Sequence, residues 1–123
     1  MCEYFVNADP ILYESRTRTV RIRGVSTSIR LENFIWDTLA RMAQAEGVTT
    51  NALIVQFHDE ILRHRGDVAN FTSFLRVTCL RFLSRKCDEL ERAMAADLTQ
   101  PGLEAEQLTA LADAPLAAAF THH

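Results

Sequence analysis

The stretch that decides the fold covers residues 25–65 and reads VSTSIRLENFIWDTLARMAQAEGVTTNALIVQFHDEILRHR. Its first seven residues alternate, and successive side chains of a strand point to opposite faces. One face would hold Val25, Thr27, Ile29 and Leu31, and the other Ser26, Ser28 and Arg30. The pattern therefore predicts a strand with one core face and one polar face. A lone strand of seven residues has backbone N–H and C=O groups that need hydrogen-bond partners. The partner that we expect first is the same strand of a second copy.

Two helical patterns follow this strand. The first begins at residues 32–33, with Asn33 as the candidate cap, and continues to residue 45. Its apolar positions recur with the spacing of one buried helix face. They are Ile35, Trp36, Leu39, Met42 and Ala43. Gly47 is suited to the left-handed conformation that ends a helix, and Trp36 is expected in the core.

The second helix is expected over residues 50–64, with Thr49 as its cap. Its buried positions would be Leu53, Ile54, Phe57 and Ile61. The first-turn amides of Thr50 and Asn51 have no acceptor within a helix and lie at the positive end of its dipole. A helix N-terminus of this kind suits a DNA phosphate. Every helix has one, so this feature supports DNA binding only together with other observations.

A second alternating stretch, RTRTVRIR over residues 16–23, precedes the strand. It predicts another strand, with a bend at Gly24. Arg18, Val20 and Ile22 would share one side, and Thr17, Thr19, Arg21 and Arg23 the other. Residues 16–31 contain five arginines and no acidic residue, although the whole chain has a net charge of -3. Arginine on an edge strand can simply discourage aggregation, but we favour an electrostatic footprint for phosphate.

Composition bounds the class of protein. A chain of 123 residues, 48% of them hydrophobic, predicts one small domain, or one domain and a tail. Cys2, Cys79 and Cys87 form no C-x-x-C motif and follow no secretion signal, so reduced thiols in a soluble, cytoplasmic protein are expected. We expect Cys79 and Cys87 to be buried on an apolar helix face. No apolar run approaches a membrane span.

Catalytic patterns are missing from the sequence. It has no glycine-rich phosphate loop, no nucleophile motif and no metal-ligand spacing. We therefore expect no enzyme activity, no metal and no cofactor.

The flanking segments divide into three parts. Residues 1–24 form an N-terminal arm with the basic segment, irregular up to residue 15, whose apolar side chains either lie across the domain or its dimer mate or belong to a partly ordered terminus. Residues 66–96 predict an additional helix that begins near Asn70 and is structural. Residues 97–123 form an acidic, alanine-rich and partly disordered tail.

Residues 25–65 resemble the ribbon-helix-helix family of DNA-binding dimers, in the MetJ/Arc-like superfamily. The strand TSIRL, the helix pattern W-x-x-L-x-x-M-A from Trp36, and the turn GVT from Gly47 carry this resemblance. A narrower resemblance, to a small bacterial group, rests on RTRTVRIRG from Arg16 and NFTSFLRV from Asn70. It implies a mainly α fold with a short β-ribbon, that is, a ribbon-helix-helix dimer with an additional C-terminal helix.

The function that this resemblance implies is DNA-binding transcriptional regulation. A two-stranded antiparallel ribbon would enter the major groove as a homodimer, or as a dimer of dimers. The polar strand face would supply base contacts from Ser26, Ser28 and Arg30. Phosphate contacts would come from Arg16, Arg18, Arg21, Arg23, Thr49, Thr50 and Asn51. The alternative is a protein-interaction module, antitoxin-like or a phage accessory factor, that binds a partner through helix 70–96 or the tail.

Overall fold

The computed structural model describes residues 1–98. A short helix α1 (Cys2–Val6) and a 3-10 turn (Pro10–Leu12) precede two strands, β1 (Ser15–Ile22) and β2 (Val25–Glu32). Three helices follow: α2 (Asn33–Glu46), α3 (Thr50–Arg65) and α4 (Phe71–Leu98). The chain divides into two units, residues 1–77 and 78–123, so α4 begins in the first unit. Apart from its first two residues, the predicted tail lies outside the described residues.

The two strands form one antiparallel hairpin. Its register pairs Ser15 with Glu32 at the open end and Ile22 with Val25 beside the turn. Arg23 and Gly24 form the turn with φ of 52° and 80°, the left-handed conformations that a two-residue hairpin turn needs. The predicted second strand is confirmed. The partner of β2 in the described chain is therefore β1. Pairing of β2 with the same strand of a second copy, which we expected first, stays a prediction.

The hairpin has one face in the core and one in solvent, as the alternation predicts, except at Val25, which was expected on the core face and is 64% exposed beside the turn. The buried strand residues are Val20, Ile22, Ile29 and Leu31. Helices of the first unit cover them with Trp36, Leu39, Met42, Ala43, Leu53, Ile54 and Leu75. Trp36 is 1% exposed, which confirms it as a core residue. Phe57 and Ile61 are half-buried.

The ends of α2 and α3 follow the expected chemistry except at Asn33. Gly47 ends α2 with φ of 71°. The Thr49 hydroxyl accepts a hydrogen bond from the Ala52 amide at 3.1 Å and so caps α3. Asn33, expected as a cap, is instead the first residue of α2. Its side-chain amide donates to the Ile11 carbonyl at 2.8 Å, so the side chain ties the helix to the N-terminal segment.

The N-terminal segment is more regular than the irregular arm that we expected. Residues Cys2–Val6 form a short helix, and Pro10 begins a 3-10 turn where its missing amide costs no hydrogen bond. The Asp9 carboxylate accepts the Ile11 amide at 3.1 Å and caps this turn. Several apolar side chains of the segment are exposed in the single chain: Tyr4, Phe5, Val6, Ile11 and Tyr13.

The additional helix is present as α4 (Phe71–Leu98). Its first turns pack on α3, where the Phe74 and Phe57 rings meet edge to face with centroids 5.7 Å apart. Cys79 is buried as expected, but the expectation of burial is wrong for Cys87, which is exposed. Among residues 1–98, no helix is both long and apolar enough to cross a bilayer.

Candidate nucleic-acid interface

The solvent face of the hairpin is a polar surface formed by three cross-strand pairs. The register places Thr17 opposite Arg30, Thr19 opposite Ser28, and Arg21 opposite Ser26. All six side chains are exposed, and none is acidic. We call these six residues the hairpin outer face. It combines two guanidinium groups with four hydroxyls on a two-stranded antiparallel ribbon.

The hairpin outer face brings together the three residues predicted to contact bases. Ser26, Ser28 and Arg30 are alternate residues of β2 and lie in one row. The neighbouring row from β1 adds Thr17 and Thr19, which sequence reasoning did not select. The alternation of residues 16–23 could have identified them, because the two-residue turn fixes which β1 side chains share the face of Arg30.

Arg16 and Arg18 lie in the other alternation of β1, on the side of the hairpin that faces the helices. The Arg18 guanidinium lies over the Trp36 ring, 5.0 Å from its centroid, and this side chain is half-buried. The Trp36 indole N–H donates to the Arg16 carbonyl at 2.8 Å. Arg16 itself is exposed near the open end of the hairpin. The predicted phosphate contacts are therefore divided between two faces.

Arg23 is held at the tip of the hairpin by an ion pair. Its Nε lies 3.0 Å from the Asp59 Oδ1 on α3. The side chains are 61% and 38% exposed, so water screens the pair and it contributes little to stability. The contact nevertheless directs this arginine toward α3 rather than into the row of Arg21.

A second ion pair fixes the other end of β2. The Arg76 Nε donates to the Glu32 Oε1 at 2.8 Å. This hydrogen bond, helped by a backbone hydrogen bond at Glu32 and by the positive charge of Arg76, holds the pKa of the Glu32 carboxyl below its usual value. Glu32 is the only acidic residue of either strand, and its negative charge is paired with Arg76 at the open end of the hairpin.

The first turn of α3 contains the remaining predicted phosphate contacts. The Thr49 hydroxyl is engaged by the Ala52 amide, Thr50 is half-buried and Asn51 is exposed. As at any helix start, the first amides lack intrahelical acceptors. In residues 1–98, no group of three or more His, Cys, Asp or Glu side chains could hold a metal ion.

The comparison with known protein families gives a match to the ribbon-helix-helix domain over residues 15–83. The matched stretch exceeds half of the 123 residues. The chain belongs to the ribbon-helix-helix family.

A solved structure is also similar to this ribbon-helix-helix protein. It is that of an uncharacterized protein from Bordetella pertussis Tohama I, with 38% sequence identity and a TM-score of 0.71. The similarity covers 86% of this chain and 91% of that chain. No curated protein matches the chain. The ribbon-helix-helix fold is typical of DNA-binding regulators, and the matched region includes both strands of the hairpin.

Proposed function

We propose that this protein is a DNA-binding transcriptional regulator that places its β-hairpin in the major groove. The observation that carries the proposal is the hairpin outer face, in which six exposed polar side chains share one side of a two-stranded ribbon. The major groove of B-DNA is wide enough for such a ribbon and presents a distinct hydrogen-bonding pattern for every base pair.

The chemistry of β2 suits base recognition. The Arg30 guanidinium can donate two parallel hydrogen bonds to O6 and N7 of guanine. The Ser26 and Ser28 hydroxyls can donate or accept, so they can contact several base edges. Their short side chains keep the backbone of β2 close to the floor of the groove.

Phosphate contacts would hold the ribbon in register. The candidates are Arg16, Arg18, Arg21, Arg23 and the first turn of α3 at Thr49, Thr50 and Asn51. Arg16 has the most accessible position among the arginines on the helix side of β1, since Arg18 stacks on Trp36. Helix amides and guanidinium groups bind phosphate regardless of sequence, so these contacts would set affinity and orientation.

The proposed regulator acts as a homodimer. Exposed apolar side chains support this, because Tyr4, Phe5 and Val6 are each at least 65% exposed in the single chain. Burying such side chains stabilises an interface by roughly 25 cal/mol per Å² of apolar surface. Light scattering at micromolar concentration should give twice the chain mass of 13.9 kDa, and a value equal to the chain mass would contradict the dimer.

Salt dependence tests the proposed function. Binding of a labelled 30-base-pair duplex pool should weaken as salt rises from 50 to 200 mM, with a log-log slope of about -0.9 for each neutralised phosphate. Several arginine contacts predict a slope of roughly -3 or steeper. Absence of binding at 50 mM salt would refute DNA binding.

A second candidate function is a protein-interaction module built on the same fold. The exposed apolar side chains favour it, since Val77 and Leu80 on α4 are 53% and 59% exposed in addition to those of the N-terminal segment. A complex formed through such side chains would keep its affinity across the same salt range, because burial of apolar surface does not depend on counterion release.

A further inference from the structure

Helix α4 carries an apolar stripe with the spacing of a coiled coil. In a heptad written abcdefg, apolar residues at a and d recur at alternating intervals of three and four residues. In α4 this spacing is bounded by charged residues at the neighbouring d positions, Arg76 and Asp97. We call the apolar residues at the a and d positions between them the α4 seam: Leu80, Leu83, Cys87, Leu90 and Met94. At 1.5 Å per residue the seam is about 21 Å long.

The α4 seam is open to a partner in the single chain. Leu80 is 59% exposed and Cys87 is exposed, so the first two a positions face solvent. The other residues of the seam are half-buried. Leu75 and Cys79, which α4 buries completely, occupy c and g positions, so the seam lies beside this buried face. Apolar residues at a and d are buried when a second helix packs against them.

Charged residues beside the seam select one orientation of the partner helix. Lys86 occupies a g position and Glu91 the following e position. In a parallel, in-register pair of helices, a g side chain lies against the e side chain five residues further along the partner. Lys86 of each copy would therefore face the partner's Glu91. Within one helix, residues three and four apart are neighbours and residues five apart are not, so this complementarity acts between helices.

An antiparallel partner lacks this complementarity. That orientation places e positions against e positions and g positions against g positions. Beside the seam, the e positions hold Ser84 and Glu91, and the g positions hold Lys86 and Ala93. Neither set contains opposite charges, so the sequence favours the parallel pair.

Lys86 is available for a contact with a second copy. Its Nζ lies 3.5 Å from the Glu89 Oε2 and 5.6 Å from the centroid of the Phe82 ring. The Lys86 and Glu89 side chains are 44% and 46% exposed, so water screens this pair and it contributes little. Glu91 is exposed. An ion pair between Lys86 and the partner's Glu91 therefore gives up little inside the chain.

The helix that carries the seam is formed before a partner binds. A helix as short as the seam is marginal in water by itself. However, α4 has 28 residues, and near its start the Phe74 ring packs on Phe57 of α3. Pairing through the seam therefore buries apolar surface without the cost of forming the helix.

We infer that the α4 seam pairs with the α4 seam of a second copy of this chain as a parallel, in-register, two-stranded coiled coil. Leucine at the d positions Leu83 and Leu90 suits two strands, and equal a positions then lie opposite each other, which places the two Cys87 side chains together. Most of the seam lies beyond the residues 15–83 that match the ribbon-helix-helix domain. The inference does not rest on DNA binding, because the seam and the hairpin outer face share no residue.

Cross-linking at Cys87 in the full chain tests whether the seams meet. The chain with Cys2→Ser keeps Cys87 as its exposed cysteine, since Cys79 is buried. It is oxidised with oxidised glutathione at pH 8, and the disulfide-linked dimer is measured over time on non-reducing gels. The matched control carries Cys2→Ser, Cys87→Ser and Arg92→Cys, because Arg92 is exposed at an f position on the opposite side of α4. Circular dichroism verifies that each variant is folded.

The dimer linked through Cys87 should form at least about tenfold faster than the control dimer, because pairing raises the effective concentration of the two thiols. Equal rates would overturn the inference. They would mean that the seam has another occupant, either a segment of the same chain or a different protein.

A charge exchange tests the parallel register. Lys86→Glu and Glu91→Lys are made separately, each with Cys2→Ser, and are mixed in a glutathione redox buffer at low salt. Each variant by itself places like charges across the seam, whereas the mixed pair places opposite charges at every such contact. Mass spectrometry separates the mixed disulfide from the two homodimers. The control mixture contains Arg92→Glu and Asp88→Lys, which make the same changes in net charge at exposed f and b positions.

The mixed disulfide should be about four-fifths of the linked product, against one-half for random pairing, since exposed ion pairs have small but additive effects. Salt at about 1 M should return it to one-half by screening, and the control mixture should give one-half throughout. A mixed product of one-half at low salt would overturn the parallel register, and an equal excess in the control mixture would assign the effect to net charge and also overturn it. DNA binding by the hairpin would stand in each of these cases.

Discussion

The Arg76 guanidinium donates to the Glu32 carboxylate across 2.8 Å, and this contact joins α4 to the last residue of β2. The hairpin therefore has an ion pair to a helix at each end, since Arg23 in the turn pairs with Asp59 on α3. These contacts add to the buried side chains that pack the hairpin on the helices.

Glu32→Gln should lower stability in a pH-dependent way. The pKa of Glu32 is below its usual value in the folded chain, so its charge adds stability above the pKa of the unfolded chain, and this is lost as pH falls through the folded pKa. Because the two side chains are 40% and 31% exposed, we expect a cost of only about 0.5–1 kcal/mol at pH 7. Urea unfolding at pH 7 and at pH 3 measures it.

The control for this experiment is Glu60→Gln, which changes an exposed carboxylate of α3. Its unfolding midpoint should equal that of the wild type at both pH values. An equal loss for Glu32→Gln at pH 7 and at pH 3 would contradict the ion-pair account.

Trp36→Phe should destabilise the packing of α2 against β1. The indole N–H donates to the Arg16 carbonyl at 2.8 Å, and phenylalanine would leave that acceptor without its partner while also weakening the stack with Arg18. We expect a loss of roughly 1–3 kcal/mol in the free energy of unfolding. Trp36 is the only tryptophan of the chain, so the variant has no tryptophan fluorescence and its unfolding should be followed by circular dichroism. Unchanged stability would show that the hydrogen bond is not formed.

Phe74→Ala should destabilise the contact between α3 and the start of α4. The Phe74 ring meets Phe57 edge to face at 5.7 Å and stacks on Phe71 at 6.0 Å. Because Phe74 is half-buried, we expect about 2 kcal/mol, less than for a fully buried phenylalanine. Val77→Ala, at a 53% exposed position of the same helix, should cost less than about 0.5 kcal/mol. Equal costs would contradict the packing.

Alkylation should separate the three cysteines. Burial raises the pKa of the Cys79 thiol to about 12, so at pH 8 it holds almost no thiolate and is also shielded from reagent. Cys2 and Cys87 are exposed. Mass spectrometry after brief iodoacetamide treatment should find these two modified and Cys79 unmodified until urea is added. Modification of Cys79 at the rate of Cys87 in the folded chain would contradict its burial.

The strands and the long helices could be predicted from the sequence because each carries a strong local signal. Alternation in residues 16–31 indicated both strands, and Gly47 and Thr49 marked the junction of α2 and α3. The partner of β2 was harder to predict, because alternation fixes the faces of a strand but leaves its neighbour open. The two left-handed residues at Arg23 and Gly24 decide this pairing, and a non-glycine residue there is uncommon.

The parts that sequence reasoning missed depend on tertiary contacts. Asn33 suits a cap, but a hydrogen bond to the Ile11 carbonyl engages its side chain. Cys87 follows Cys79 on the same apolar face of α4, yet it is exposed in the described chain. Periodicity identifies the apolar face of a helix, but it does not show how much of that face other elements cover. The charge pattern grouped the arginines, whereas Arg18 lies over Trp36 on the helix side of β1 and Arg23 pairs with Asp59 on α3.

The most direct test of the account compares wild type and Arg30→Ala in the ratio of specific to non-specific affinity, on a site selected from random DNA, with Arg81→Ala as control. Arg30 is exposed on the hairpin outer face, and a bidentate guanine contact is worth roughly 1–3 kcal/mol. The account predicts that Arg30→Ala lowers the ratio at least about fivefold while circular dichroism and the ratio for Arg81→Ala stay unchanged. An unchanged ratio for Arg30→Ala would contradict base reading by the hairpin.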